Sequence, residues 1–271
     1  MTASKQQILT IIIPTLNRGH LIGHAIESVL SQDSSNWRLI IIDNASSDGT
    51  LELCEEYQAS HQNISYHHFE SQVPIHVNWE RGLQFVETEY FITLSDDDHL
   101  ASTFVSDVTY QLVHAKPDIL LVNRATYAPL ADNSLINHKL IVSHASTYSN
   151  DLEKISGKDI WLPYLTCEAV KTKPNLSFHP SMFVYSIGYV KQLCLQYGGF
   201  YKPAAPDYYA SIISSLNTDK IVFLNKPLVC IGGLVRAPYC FSNNKFKWFG
   251  MTFDPLVYGL SLIHISEPTR P

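Results

Sequence analysis

QILTIIIPTLNRGHLIGHAIESVLSQ, residues 7–32, sets the architecture of this chain. Residues 7–14 are dominated by apolar and β-branched side chains without polar alternation, which reads as a strand buried on both faces. After a short loop, apolar side chains recur at 21, 22, 25, 26, 29 and 30, the stripe of an amphipathic helix. A buried strand feeding a helix is the building unit of a parallel sheet covered by helices.

The same alternation continues outward. WRLIIID (37–43) reads as a second strand and DGTLELCEEYQAS (48–60) as a helix, with Asp48 placed to cap it. NISYHHF (63–69) is a third strand, HVNWERGLQFVET (76–88) a helix and EYFITLS (89–95) a fourth strand. A helix from about 101 to 115 and a strand over 118–123 follow. Residues 125–180 show few periods. Beyond them the pattern predicts a helix over 187–197 stopping at Gly198–Gly199, a helix over 206–216 and a strand over 220–233. With no repeat, the expectation is one α/β domain over residues 1–261, a mostly parallel Rossmann-like sheet flanked by helices. Its regular half is 7–124 and its irregular half 125–261. The end of the chain, SLIHISEPTRP, continues no upstream pattern and resembles a translated sequencing-adapter junction, so 262–271 are expected to be a non-native tail.

Composition narrows the function. The 271 residues are 45% hydrophobic and 16% charged, the balance of a globular protein with a real core. A formal net charge of −6 argues against a nucleic-acid partner, which calls for a basic face. No stretch nears the roughly 20 apolar residues of a membrane span, and no secretion signal is evident, so a cytoplasmic location is expected. The five cysteines form neither a close pair nor a zinc spacing.

In such sheets ligands sit beyond the carboxyl ends of the strands. Three polar loops fall there: PTLNRG (14–19), DNASSDGT (43–50) and SDDDH (95–99). From Asn44 the second loop mimics a calcium loop, but a strand precedes it where that motif needs a helix. Neither G-x-G-x-x-G nor G-x-x-x-x-G-K-[ST] occurs, and no G-x-S-x-G elbow is present. The third loop is the costly one. Two like charges about 4 Å apart repel by roughly 4 kcal/mol at an effective dielectric near 20. Three adjacent carboxylates become an asset when a dication with a preference for oxygen sits among them.

LTIIIPTLNR, LIIIDNASSDGT and EYFITLSDDDHL, in this order and separation, resemble the family-2-type inverting glycosyltransferases with the GT-A fold. The resemblance is strong over about residues 7–105 and continues more weakly through 178–213. It implies a D-x-D-type element that holds Mn²⁺ or Mg²⁺ against the diphosphate of a nucleotide-sugar. Ser95 takes the place often held by the first acid, and Asp97 and Asp98 match the positions that reach ribose and metal. Asp96 is the additional carboxylate, also placed on the donor side, and its replacement is expected to be mild. Pro14 and Thr15, with Asn17 and Arg18 after them, match the loop beside the nucleotide base. Asp43 matches the acid that helps hold the nucleoside. Asn44 stands where many members carry an aspartate that reads a uracil edge, which leaves UDP, dTDP and GDP donors open. Asn78 and Arg81 match the helix lining the diphosphate. Asp207, near the opening of a late helix, matches the acid that takes the acceptor's proton, with helix capping as the alternative. His179 falls in a segment that closes over the donor or meets the acceptor. The implied acceptor is a saccharide or lipid-linked saccharide, as in polysaccharide or glycolipid synthesis at the inner face of a membrane. A catalytically silent nucleotide-sugar-binding domain is the rival reading.

Overall fold

The computed structural model describes residues 7–129, 138–141, 152–165, 178–203, 205–231, 246–248 and 251–253. Strand β1 (Leu9–Thr15) is buried along its whole length. It is followed by α1 (Ile22–Leu30), β2 (Trp37–Asp43), α2 (Thr50–Ser60), β3 (Ile64–His68), α3 (Ile75–Leu83) and β4 (Tyr90–Thr93). The chain then forms β5 (His99–Leu100), α4 (Phe104–Ala115), β6 (Ile119–Pro129), β7 (His138–Ile141), β8 (Leu152–Ile155) and α5 (Gly157–Leu165). A 3-10 turn (Pro180–Met182) leads into β9 (Phe183–Ser186), α6 (Ile187–Tyr197), α7 (Pro206–Leu216) and β10 (Ile221–Ile231). Strands β11 (Phe246–Trp248) and β12 (Met251–Phe253) make a separate antiparallel pair.

The main sheet runs β3-β2-β1-β4-β9-β6-β10-β5, with β7 beside β6 and β8 beside β10. Strands β3, β2, β1 and β4 are mutually parallel, as the alternation requires, and β6 is parallel to β10. Strand β9 is antiparallel to both of its neighbours, and β5, β7 and β8 also pair antiparallel, so the sheet is mostly rather than wholly parallel. Its core includes Ile11, Ile12, Ile13, Leu39, Ile41, Phe91 and Phe183, all fully buried or nearly so. Each such side chain stabilises the fold by roughly 1.5–3 kcal/mol through apolar burial alone.

The topology places the site. Consecutive strands run outward from β1 to β2 and β3 on one side, whereas β4 lies on the other. Ligands bind where the winding reverses in this way. Pairing of β1 with β4 ends at Ile12 with Thr93, while pairing with β2 runs on to Thr15 with Asp43. The ends of β1 and β4 therefore separate, and Pro14, which has no N–H to donate, stands where the ladder has opened.

Two local expectations need correction. Helix α3 ends at Leu83 rather than near 88, because Gln84, Phe85 and Val86 close turns onto Arg81, Gly82 and Leu83. Asp48 is not the N-cap of α2; Gly49 is, with no side-chain cap bond. Asp48 nevertheless accepts from the Thr50 amide at 3.0 Å and from the Gly19 amide at 3.2 Å, so it joins two loops. Strands β5, β7, β8 and β9 and helix α5 had no clear sequence signal. The tail 262–271 lies outside the described residues, as do Cys167 and Cys240.

Candidate active site

The loops after β1 and β2 are fastened to each other. Asn17 sits in the left-handed region at φ 55°. Its amide donates to Ser46 Oγ at 2.8 Å, and its Oδ1 accepts from the Ser47 amide at 2.8 Å. The Arg18 amide donates to Thr50 Oγ1 at 3.0 Å. A Cβ on Gly19 would stand 2.9 Å from the Gly49 carbonyl carbon and the Thr50 nitrogen, so only glycine permits this approach. Asn17 thus acts here as a cross-link between loops.

Asp43 is fully buried and surrounded by donors. Its Oδ1 accepts from the Ser46 amide at 2.9 Å and the Ser46 hydroxyl at 2.6 Å. Its Oδ2 accepts from the Tyr66 hydroxyl at 2.5 Å and lies 3.0 Å from His68 Nδ1. Asn44 spends its amide on one backbone unit: Nδ2 donates to the Val73 carbonyl at 2.8 Å, and Oδ1 accepts from the Val73 amide at 2.9 Å. Both side chains are hydrogen-bonded within the protein. Asp43 ties β2 to β3, and Asn44 pins the segment that enters α3.

Beside them stand polar atoms that are buried and lack a hydrogen-bond partner: Arg18 Nη1, Asn78 Oδ1 and Arg81 Nη1. Arg81 lies with Cζ 4.1 Å from the centre of the Phe69 ring, a cation–π contact that holds the guanidinium in place. Asn78 donates to the Ile42 carbonyl at 3.3 Å while its Oδ1 is unpartnered. Orphaned buried groups of this kind cost about 1–3 kcal/mol each unless a ligand satisfies them.

The three aspartates divide. Asp96 is not a spare carboxylate. It accepts from Thr15 Oγ1 at 2.9 Å and lies 3.7 Å from Arg18 Nε, so it ties the acid loop to the loop after β1. Burial pushes it up to about 7, against the Arg18 charge that pulls it down. Asp97 is partly exposed; burial and the neighbouring Asp98 charge raise its pKa. Asp98 is buried, with Oδ2 2.5 Å from the Ser181 hydroxyl and 3.5 Å from His179 Nδ1.

Two residues from the irregular half complete the group. Burial, followed by the nearby Arg124 charge, lowers His179 to about 4, so the imidazole is neutral at pH 7. The charges of Asp207 and Asp97 both act on His179, favouring its protonated form. Asp207 is in the first turn of α7, whose N-cap is Ala205 with no side-chain cap bond. Its Oδ1 is buried and unpartnered, and burial raises its pKa. The sequence pointed to Asp207 but gave no weight to Ser181, whose role depends on a pairing distant along the chain.

Among the described residues no three His, Cys, Asp or Glu side chains are grouped to hold a metal by themselves. Mg²⁺ takes one or two carboxylates and completes its shell with water and substrate phosphates. Asp97 and Asp98 are the adjacent acid-loop carboxylates that could serve an ion in that way.

A mostly parallel sheet whose winding reverses between β1 and β4, flanked by helices, is an α/β fold of the GT-A type. The model of Glycosyl transferase family 2 matches residues 10–186, and the chain belongs to that family. It is 24% identical over 122 residues to glycosyltransferase GlyG of Streptococcus pneumoniae, covering 45% of this chain and 40% of that protein. It is 34% identical over 100 residues to the GalNAc(5)-diNAcBac-PP-undecaprenol beta-1,3-glucosyltransferase of Campylobacter jejuni, 36% of this chain and 32% of that one. The matched part thus spans two fifths or less of these relatives. Among solved structures, S. aureus TarS 1-349 in complex with UDP-GlcNAc superposes with a TM-score of 0.65 at 16% identity, covering 85% of this chain and 60% of that one. Mannosyltransferase PcManGT from Pyrobaculum calidifontis, in complex with GDP-Man and Mn²⁺, gives a TM-score of 0.57 at 14% identity, with 86% and 58% covered. At those identities the likeness concerns the fold.

Proposed function

We propose that this protein transfers one sugar, with inversion, from a nucleoside-diphosphate donor to an acceptor hydroxyl during cell-envelope polysaccharide or glycolipid synthesis. The observation that carries the reading is the buried, unpartnered Oδ1 of Asp207, whose charge acts on His179 as that of Asp97 does. In the transfer, the acceptor oxygen attacks the anomeric carbon opposite the leaving diphosphate and loses its proton to the Asp207 carboxylate. The bond from that carbon to the diphosphate oxygen breaks as the new glycosidic bond forms. Burial makes Asp207 a stronger base than a solvated carboxylate, the adjustment expected of a general base. Arg18 and Arg81 offer their unpartnered Nη1 atoms to phosphate oxygens, a geometry suited to guanidinium. Asp97 and Asp98 would hold the divalent ion, which when bound neutralises diphosphate charge.

Support for the wider setting comes from the undecaprenol-linked acceptor in the name of the Campylobacter relative and from the donors bound by the structural neighbours. Those neighbours include both a UDP-sugar and a GDP-sugar complex, and the donor here is a nucleotide-sugar of that class. No helix among the described residues is long and apolar enough to cross a membrane. An acceptor on a lipid would be reached from the membrane surface. The test is release of free nucleotide from a panel of UDP-, dTDP- and GDP-sugars with Mn²⁺ or Mg²⁺ and polyprenyl-linked saccharides. Acceptor-dependent, chelator-sensitive release is expected; donor binding without any release would favour the silent-binder reading.

A further inference from the structure

Ser181, a fully buried side chain from the far half of the chain, is hydrogen-bonded to the acid loop. Its hydroxyl oxygen accepts from the Ser95 amide at 3.1 Å, and its proton is donated to Asp98 Oδ2 at 2.5 Å. The Asp98 amide in turn donates to the Ser95 carbonyl at 3.1 Å. These three bonds close a ring through Ser95, Asp98 and Ser181, so the carboxylate is fixed relative to its own backbone. The placement follows from topology. Strand β9 pairs with β4 through Val184 and Ile92, which brings the 3-10 turn before β9 against the loop after β4. Pro180 opens that turn, and the extended backbone of His179 before it is what a following proline favours.

We propose that Ser181 is a positioning residue for the ion-holding carboxylate of Asp98, orienting it for a divalent cation; this rests on the reading of Asp98 as an ion ligand. A carboxylate that holds a cation loses affinity for it when it can rotate away. Hydrogen bonds that orient metal ligands set affinity by about 10–100-fold where they have been removed. Ser181 is satisfied on both sides within the acid loop, so its hydroxyl acts through Asp98 rather than on the sugar.

The experiment is titration of Mn²⁺ into the full chain, with free ion followed by electron paramagnetic resonance, alone and then with UDP and with GDP. Nucleotide binding without metal and melting temperature are measured in parallel. For Ser181→Ala, Mn²⁺ affinity is expected to fall about 10–100-fold, with metal-free nucleotide binding unchanged. Ser181→Cys, which keeps the volume and a weaker donor, is expected to lie between Ala and wild type and stands in should Ala fail to fold. Wild-type Mn²⁺ affinity in Ser181→Ala overturns the proposal, as does an equal fall in Mn²⁺ and metal-free nucleotide binding, the mark of a merely structural role. Absence of Mn²⁺ binding by the wild-type protein under all three conditions overturns the ion-ligand reading itself.

Discussion

Replacing Asp43 by alanine separates a structural hub from a nucleoside-reading residue. In the folded protein this carboxylate accepts from the Ser46 amide and hydroxyl and from Tyr66, and it lies beside His68. Hydrogen bonds to a charged acceptor contribute about 1.5–3 kcal/mol each. The two Ser46 donors are buried with the carboxylate and would lose their partner without replacement. Tyr66 and His68 are partly accessible, with the His68 side chain 32% exposed, so water can restore much of what they lose. The expected cost is therefore about 4 kcal/mol, within the range for breaking a buried charged pair. For a domain of this size each kcal/mol lowers the melting temperature by about 2–4 °C, so thermal unfolding followed by circular dichroism should shift down by roughly 10 °C. A variant that melts within about 2 °C of wild type while losing nucleotide affinity would refute the hub and restore the nucleoside-reading role.

Arg81→Gln should weaken nucleotide-sugar binding by about tenfold while changing the melting temperature little, since the guanidinium presents an unpartnered Nη1. Isothermal titration checks it, and unchanged affinity would leave Arg81 as a helix charge over Phe69. His179 has a folded pKa near 4, below its ordinary value, so between about pH 6.5 and 4 the unfolded chain binds a proton that the folded chain does not. Its contribution to stability is therefore complete above about pH 6.5 and is lost as pH falls towards 4. Denaturant titrations should show the difference between wild type and His179→Gln varying across that window and flat above it; parallel curves would mean that burial and the Arg124 charge do not lower the His179 pKa on folding.

What the sequence discloses here follows the range of the interactions. Strand β2 and helices α6 and α7 match their expected limits because local signals define them: a continuous apolar run, Gly198 at φ 72° after α6, and Pro206 opening α7. Phe85 and Val86 extend the apolar pattern of α3 past its end at Leu83, where turns have already replaced the helix. Strand β9 is not legible in the sequence, because four residues between a proline turn and a helix carry no readable period. The acid loop was conspicuous for its charge. That Asp96 ties to Thr15 and Arg18 whereas Asp98 turns to Ser181 is set by contacts spanning about 80 residues or more, which spacing cannot reveal. The same holds for Asn44, whose amide is taken up by Val73, 29 positions away.

The central claim is that Asp207 takes the acceptor's proton, and Asp207→Asn tests it with little change in shape. Asparagine keeps the volume at the start of α7 and removes the basic oxygen. Three quantities are needed from one preparation: melting temperature, affinity for the nucleotide-sugar with Mn²⁺, and the initial rate of acceptor-dependent sugar transfer. The account predicts that the first two are retained and that the rate falls by at least about 10²-fold, the usual cost of losing a general base. Transfer at a near wild-type rate would contradict it and place the base elsewhere.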